Sequence, residues 1–148
     1  MKISTKGRYG LRAMIDLATH ADNGRPVYLS DIAKRQELSA KYLEQIFATL
    51  NTAALVKTIR GRKGGYLLNR APKEITLREI IATLEGPSIL VDCVADQNVC
   101  PKTGNCVARD IWTLLGNRID ELLSGFTLAD LVKMQKEKAQ NGTCMYHI

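Results

Sequence analysis

Nowhere in its 148 residues does the chain hold an apolar run long enough to cross a bilayer. Its opening, MKISTKGRYG, has neither the apolar centre nor the small-residue cleavage site of a secretory signal. Cysteine is sparse. Four in a chain of this length do not make a disulfide framework, and they point instead to metal or redox use in the cytoplasm. Internal repeats and low-complexity segments are absent. No nucleophile–base pair stands out, and the glycine-rich stretch from Gly61 to Gly65 leads into a strand pattern rather than the helix of a phosphate-binding loop. These absences argue against an enzyme, a small-molecule substrate and a membrane partner.

Acidic charge is also scarce where the chain begins. Residues 1–73 hold 14 Lys and Arg against 5 Asp and Glu, whereas residues 74–148 hold 7 against 10. The net +6 therefore hides a basic half with the electrostatic footprint of a polyanion binder. The basic residues are not gathered on one amphipathic helix, as a membrane-surface segment would require.

Within the basic half lies SDIAKRQELSAKYLEQIFATLNTAALVKTIRGRKGGYLL, from Ser30 to Leu68. Ser30 is positioned to cap a first helix containing Ile32 and Ala33. After the short break Glu37-Leu38-Ser39, Ser39 caps a second helix with Leu43, Ile46, Phe47 and Leu50 at helical spacing. Leu38 is the expected buried plug of a helix-turn-helix. Val56 to Ile59 and Tyr66 to Leu68 then read as strands flanking Arg60-Gly61-Arg62-Lys63-Gly64-Gly65, a wing. A major groove admits such a helix, with its N-terminal residues against base edges. Gln45 suits adenine and Glu44 suits cytosine, while Ser39, Lys41 and Tyr42 complete the polar face. The cations Arg60, Arg62 and Lys63 suit phosphates or a narrow minor groove. Double-stranded DNA is the partner these residues imply. The competing reading is a partner-binding module whose basic half meets an acidic protein.

The remaining pattern is mostly helical. A first helix is expected from Thr5 to His20, burying Leu11, Met14, Ile15 and Ala18, with Lys6, Arg8 and Arg12 near its start. Pro26 to Leu29 suggests a short strand pairing with the wing. Thr76 and Glu79 form a capping box ahead of a core helix that ends at Gly86. Val91 to Cys106 reads as a loop. From Val107 to Ser124, Ile111, Leu114, Leu115, Ile119, Leu122 and Leu123 form one long apolar stripe, best covered by a second copy of the chain. A last helix follows Thr127 and is expected near that stripe. The fold class is thus mostly α with a small β wing. Residues 1–86 form a winged helix-turn-helix domain, 87–106 a cysteine-bearing sensor loop, 107–140 a dimerisation helix and C-terminal helix, and 141–148 a mobile tail.

Cys93, Cys100 and Cys106 share the loop, with six and then five residues between them. Three thiols in a polar stretch are not explained as small buried hydrophobes. Thiolates suit iron–sulfur clusters or zinc. The spacing is looser than the paired Cys-x-x-Cys of structural zinc sites, which favours a cluster while zinc and a thiol switch stay open.

STKGRYGLRAM, LSAKYLEQIFATL, VKTIRGRKGGYLL, the three-cysteine loop and the following Asp-Ile-Trp together resemble the IscR/NsrR/RirA/CymR-type family of bacterial winged helix-turn-helix regulators. The resemblance covers all but the last few residues. It implies a homodimeric transcription factor, usually a repressor, which in many members senses iron–sulfur, iron, redox or nitric oxide status through a cluster. Cys93, Cys100 and Cys106 match the cluster cysteines, for a 2Fe–2S or 4Fe–4S group alike. Ser39, Lys41, Tyr42 and Gln45 match the recognition face, with Arg60 and Arg62 in the wing. The fourth ligand does not carry over. Arg109 stands where some members have histidine, and Arg8 where others have an acidic residue, leaving Asp110, Cys144, His147, or an exogenous thiol or water as candidates.

Overall fold

A computed structural model describes residues 2–144. Its elements follow the order α1 (Thr5–His20), α2 (Leu29–Gln36), α3 (Ala40–Thr52), β1 (Val56–Ile59), β2 (Gly65–Leu68), α4 (Leu77–Glu85), α5 (Asp92–Ala95), α6 (Val107–Ser124) and α7 (Leu128–Cys144). The two strands pair antiparallel, Val56 opposite Leu68 and Ile59 opposite Gly65. Mostly helical with one two-stranded wing, this is the fold class expected.

The core gathers Met14 and Leu17 of α1, Ile32 of α2, Leu43, Ile46, Phe47 and Leu50 of α3, Val56, Ile75, Ile80 of α4 and Leu128 of α7. The stripe expected on α1 is rotated. Met14 is fully buried, but Leu11, Ile15 and Ala18 are only partly so, and Gly7, Gly10, Ala13 and Leu17 complete the buried face. Small residues explain the difference. A Cβ at Gly10 would run into Leu84 and one at Gly7 into Glu85, so α1 approaches α4 through residues that hydropathy barely registers. Glu85 in turn accepts the Ser4 backbone N–H at 3.1 Å and the Ser4 hydroxyl.

Other local expectations also change. α2 begins at Leu29 with Tyr28, not Ser30, at its N-cap, and Tyr28 makes no side-chain cap bond. The chain enters that helix directly from the Val27–Tyr66 bridge, which is all that remains of the strand expected there. The segment from Val91 to Cys106 is not plain loop, since it holds α5 and the 3-10 turns Gln97–Val99 and Thr103–Asn105. Finally, α7 packs on α1 and on the 3-10 turn Pro72–Glu74. Leu77 N–H donates to Phe126 O at 2.9 Å and Leu128 N–H to Ile75 O at 2.8 Å, and these bonds return the chain to the winged unit. The helix runs to Cys144, past the end expected at residue 140. The remaining tail, with His147, lies outside the described residues.

The capping box forms as read. Thr76 Oγ1 accepts the Glu79 N–H at 3.2 Å, and Glu79 accepts the Thr76 N–H at 2.8 Å. Partial burial opposes ionisation of Glu79, but the Thr76 and Arg70 donors outweigh it and hold this carboxyl below its ordinary range. A lowered carboxyl pKa stabilises the fold above the unfolded value, and that contribution disappears as pH falls through the folded value. Urea denaturation below about pH 4.3 is expected to show this loss, and Glu79→Gln to flatten that limb.

Candidate nucleic-acid interface and cysteine segment

The turn between α2 and α3 is set by Glu37, a non-glycine residue in the left-handed region at φ 56°. Leu38 N–H closes it by donating to Ala33 O at 3.0 Å, and the Leu38 side chain packs partly buried on the core. Such closure satisfies the last carbonyls of α2 and turns the chain at once into the next helix. Ser39 then caps α3, its hydroxyl accepting the Tyr42 N–H at 3.1 Å. With Leu43, Ile46, Phe47 and Leu50 buried, Ser39, Lys41, Glu44 and Gln45 are left exposed, and Tyr42 half-buried. These are the polar residues singled out from the sequence.

The wing is pinned on its inner side. Val27 and Tyr66 exchange backbone hydrogen bonds of 2.9 and 2.8 Å, and the Tyr66 ring meets Phe47 of α3 edge-on at 4.7 Å. Gly65 sits at φ 147°, and a Cβ there would lie 2.5 Å from the Val27 carbonyl oxygen, so only glycine lets the bridge close. At the tip, Gly64 N–H donates to Gly61 O at 2.9 Å, and the Tyr28 hydroxyl reaches Arg62 O at 3.3 Å. The tip is therefore tied to the entry of α2. Arg60, Arg62 and Lys63 are exposed, and among the described residues none pairs with a carboxylate. A concentration of uncompensated cations on a braced hairpin can engage a polyanion without first breaking an ion pair.

Two features behind this surface escaped the sequence reading. Asp16 is buried in α1, and Arg35 of α2 grips its carboxylate with bonds of 2.6 to 3.1 Å, joined by Gln36 Nε2 at 2.8 Å. The Asp16 bond, opposed by partial burial, raises the Arg35 pKa further above its ordinary value. An acid between Ala13 and Leu17 on a buried face was the available signal, because such a group needs a partner. The second feature is Tyr9, whose ring meets Tyr42 edge-on at 6.3 Å. Neither spacing nor composition pointed to that contact.

The cysteine segment follows α4. Cys93 lies in α5, Cys100 follows the first 3-10 turn, and Cys106 is the N-cap residue of α6, at its positive end. All three thiols are free and half-buried. Each belongs to a separate short turn, and among the described residues no three His, Cys, Asp or Glu converge to hold an ion. Three soft thiols suit a cluster by donor chemistry, but among the described residues neither they nor a fourth donor are gathered at one point. Asp110 is exposed in the first turn of α6. Arg109 Nε donates to Cys93 O at 2.9 Å, so that side chain braces the segment. Cys144 closes the α7 backbone range, and its side chain lies outside the described residues.

The Rrf2 family pattern, described as "Iron-dependent Transcriptional regulator", matches residues 3–134. The chain belongs to the Rrf2 family. Its Rrf2 relatives include the HTH-type transcriptional regulator CymR of Bacillus subtilis, 44% identical over 131 residues, covering 88% of this chain and 89% of the relative. The HTH-type transcriptional regulator IscR of Aliivibrio salmonicida is 39% identical over 132 residues, covering 89% of this chain and 77% of the relative. Among solved structures, CymR, "the Global Cysteine Regulator of B. subtilis", superposes with TM-score 0.75 at 41% identity, covering 90% of this chain and 98% of that one. T. potens IscR gives TM-score 0.75 at 43% identity, covering 93% and 90%. This Rrf2 chain is accordingly a transcriptional regulator rather than an enzyme. No helix among the described residues is long and apolar enough to cross a membrane.

Proposed function

We propose that this Rrf2 protein is a cytoplasmic homodimeric repressor that grips duplex DNA with α3 and the wing. Its DNA affinity is set by an iron–sulfur cluster on Cys93, Cys100 and Cys106. The observation that carries the DNA reading is the wing tip, where Arg60, Arg62 and Lys63 stand without carboxylate partners among the described residues, on a hairpin packed by Tyr66 on the capped helix that bears Ser39, Lys41, Tyr42 and Gln45. Gln45 reads a base edge in this scheme, and the others position the helix on phosphates. On α6, a helix about 27 Å long, Ile111 is 52%, Leu114 53% and Leu122 64% exposed, a stripe that a second copy would cover. Two-fold symmetry offers two recognition helices to successive major grooves.

When bound, a cluster makes such a regulator responsive to iron supply, redox state or nitric oxide. The chain's own part is to link the thiols to the DNA-reading unit. Arg109 fastens the Cys93 carbonyl to α6, the Ser88 carbonyl lies against Gly116 of α6, and α4 packs between α6 and α3. Anaerobic purification followed by iron and sulfide counts tests the sensor. Visible absorbance is expected from wild type and lost from Cys100→Ala, with the helical circular dichroism retained. An unchanged spectrum in that variant would remove Cys100 from the site.

A thiol- or zinc-based regulator is the second reading, and thiols that lie in separate turns favour its thiol form. A colourless anaerobic preparation without iron would select it.

A further inference from the structure

Tyr9 is the residue of α1 that touches the proposed recognition face. Its ring meets that of Tyr42 at 90° and 6.3 Å, a favourable edge-to-face arrangement. The guanidinium carbons of Arg8 and Arg12 lie 5.6 and 5.5 Å from the Tyr9 ring centroid, within the range of a cation–π contact. Arg12 also holds the end of α2. Its Nε donates to Gln36 Oε1 at 3.0 Å and its Nη2 to Gln36 O at 3.2 Å. A cation on the last carbonyls of a helix is favourably placed, and Gln36 directly precedes the left-handed Glu37 that aims α3. One side-chain assembly on α1 thus meets both the turn and the first helical turn of α3. The Tyr42 ring is half-buried, set between the apolar core on one side and Tyr9 on the other, and its hydroxyl has no hydrogen-bond partner among the described residues.

We propose that Tyr9, steadied by Arg12, is a positioning residue for sequence-specific DNA binding that acts by holding the Tyr42 ring. The inference rests on the DNA reading above. Tyr9 need not touch DNA. The required group is its ring, and the hydroxyl is dispensable.

A double-substitution cycle on the full-length protein tests this, using a duplex that wild type selects from a random-sequence pool and a scrambled duplex as the non-specific control. Tyr9→Leu and Tyr42→Leu are each expected to weaken binding to the selected duplex about tenfold. The double variant should also lose about tenfold, rather than the roughly hundredfold of independent sites. Tyr9→Phe should bind like wild type. The salt slope on the selected duplex should not change with Tyr9→Leu, since no charged phosphate contact is removed, and affinity for the scrambled duplex should fall less than that for the selected one. Arg12→Met gives a second route if Tyr9→Leu folds poorly. It should weaken selected binding about threefold, and by clearly less once Tyr42 is Leu, the remainder being its hold on Gln36.

Additive losses, or a Tyr9→Phe variant as weak as Tyr9→Leu, would overturn the proposal. A wild-type protein that enriches no sequence would remove the DNA reading itself, a result distinct from an additive cycle.

Discussion

Alanine at both Arg60 and Arg62 is expected to weaken binding to a selected duplex about 10- to 100-fold near 0.1 M salt. Both side chains are exposed on the wing tip and neither has a carboxylate partner among the described residues, so their removal breaks nothing within the fold. The thermal midpoint should therefore stay near that of wild type. If each guanidinium neutralises one phosphate, the slope of log affinity against log salt becomes shallower by about two. The form of the loss is as informative as its size. Loss shared by selected and scrambled duplexes means phosphate contact, whereas loss confined to the selected duplex means insertion into a narrow minor groove. An unchanged slope and affinity would take the wing out of the interface. Gln45→Ala should behave oppositely, relaxing sequence preference by about 1–3 kcal/mol while leaving the slope alone.

The wing and its neighbouring helix were legible in the sequence because each local signal agreed with the others. Ser39 stands one residue ahead of a helix with Leu43, Ile46, Phe47 and Leu50 at helical spacing, and the structure buries those four and uses that cap. Thr76 and Glu79 were equally plain, since a capping box is a short-range pattern that a distant contact need not complete. Where the reading failed, the cause lay far along the chain. The inward face of α1 is set by Leu84 and Glu85, whose side chains fill the space beside the glycines at positions 10 and 7, and a search for apolar spacing passes over glycine. The direction of α7 depends on two backbone bonds, Leu77 to Phe126 and Leu128 to Ile75, which no side-chain pattern announces.

The cysteine segment sits between these cases. Its three thiols were visible from composition and spacing. Their arrangement was not visible, because Asp92–Ala95 and the two 3-10 turns form from local backbone bonds in a stretch without hydrophobic periodicity. Arg109 illustrates the difference between a matched position and its use. Set against the resemblance, it marks a missing ligand. In the fold it donates to the Cys93 carbonyl and so joins α5 to the helix that carries the exposed stripe.

Arg35→Met is expected to be among the most destabilising single changes outside the apolar core. The Asp16 side chain is 3% exposed, and Arg35 supplies most of its hydrogen bonds. Gln36 would still donate, and the His20 ring nitrogen lies 3.4 Å away, but neither replaces a two-pronged guanidinium. Stranding a buried carboxylate in this way costs about 3–5 kcal/mol. For a chain of this size that lowers the thermal midpoint by roughly 6–20 °C. Asp16→Ala should cost less, because Arg35 is 35% exposed and its guanidinium can turn into water. The double variant Asp16→Leu/Arg35→Met should recover most of the loss, since no buried charge then remains without a partner. Urea titration of the three variants measures the ordering. Equal losses below about 1 kcal/mol would mean that the pair behaves as a surface ion pair. In that event α2 would be held to α1 by Ile32 and Ala33 against the apolar core, and the ion pair would set only the angle at which α2 hands the chain to Glu37.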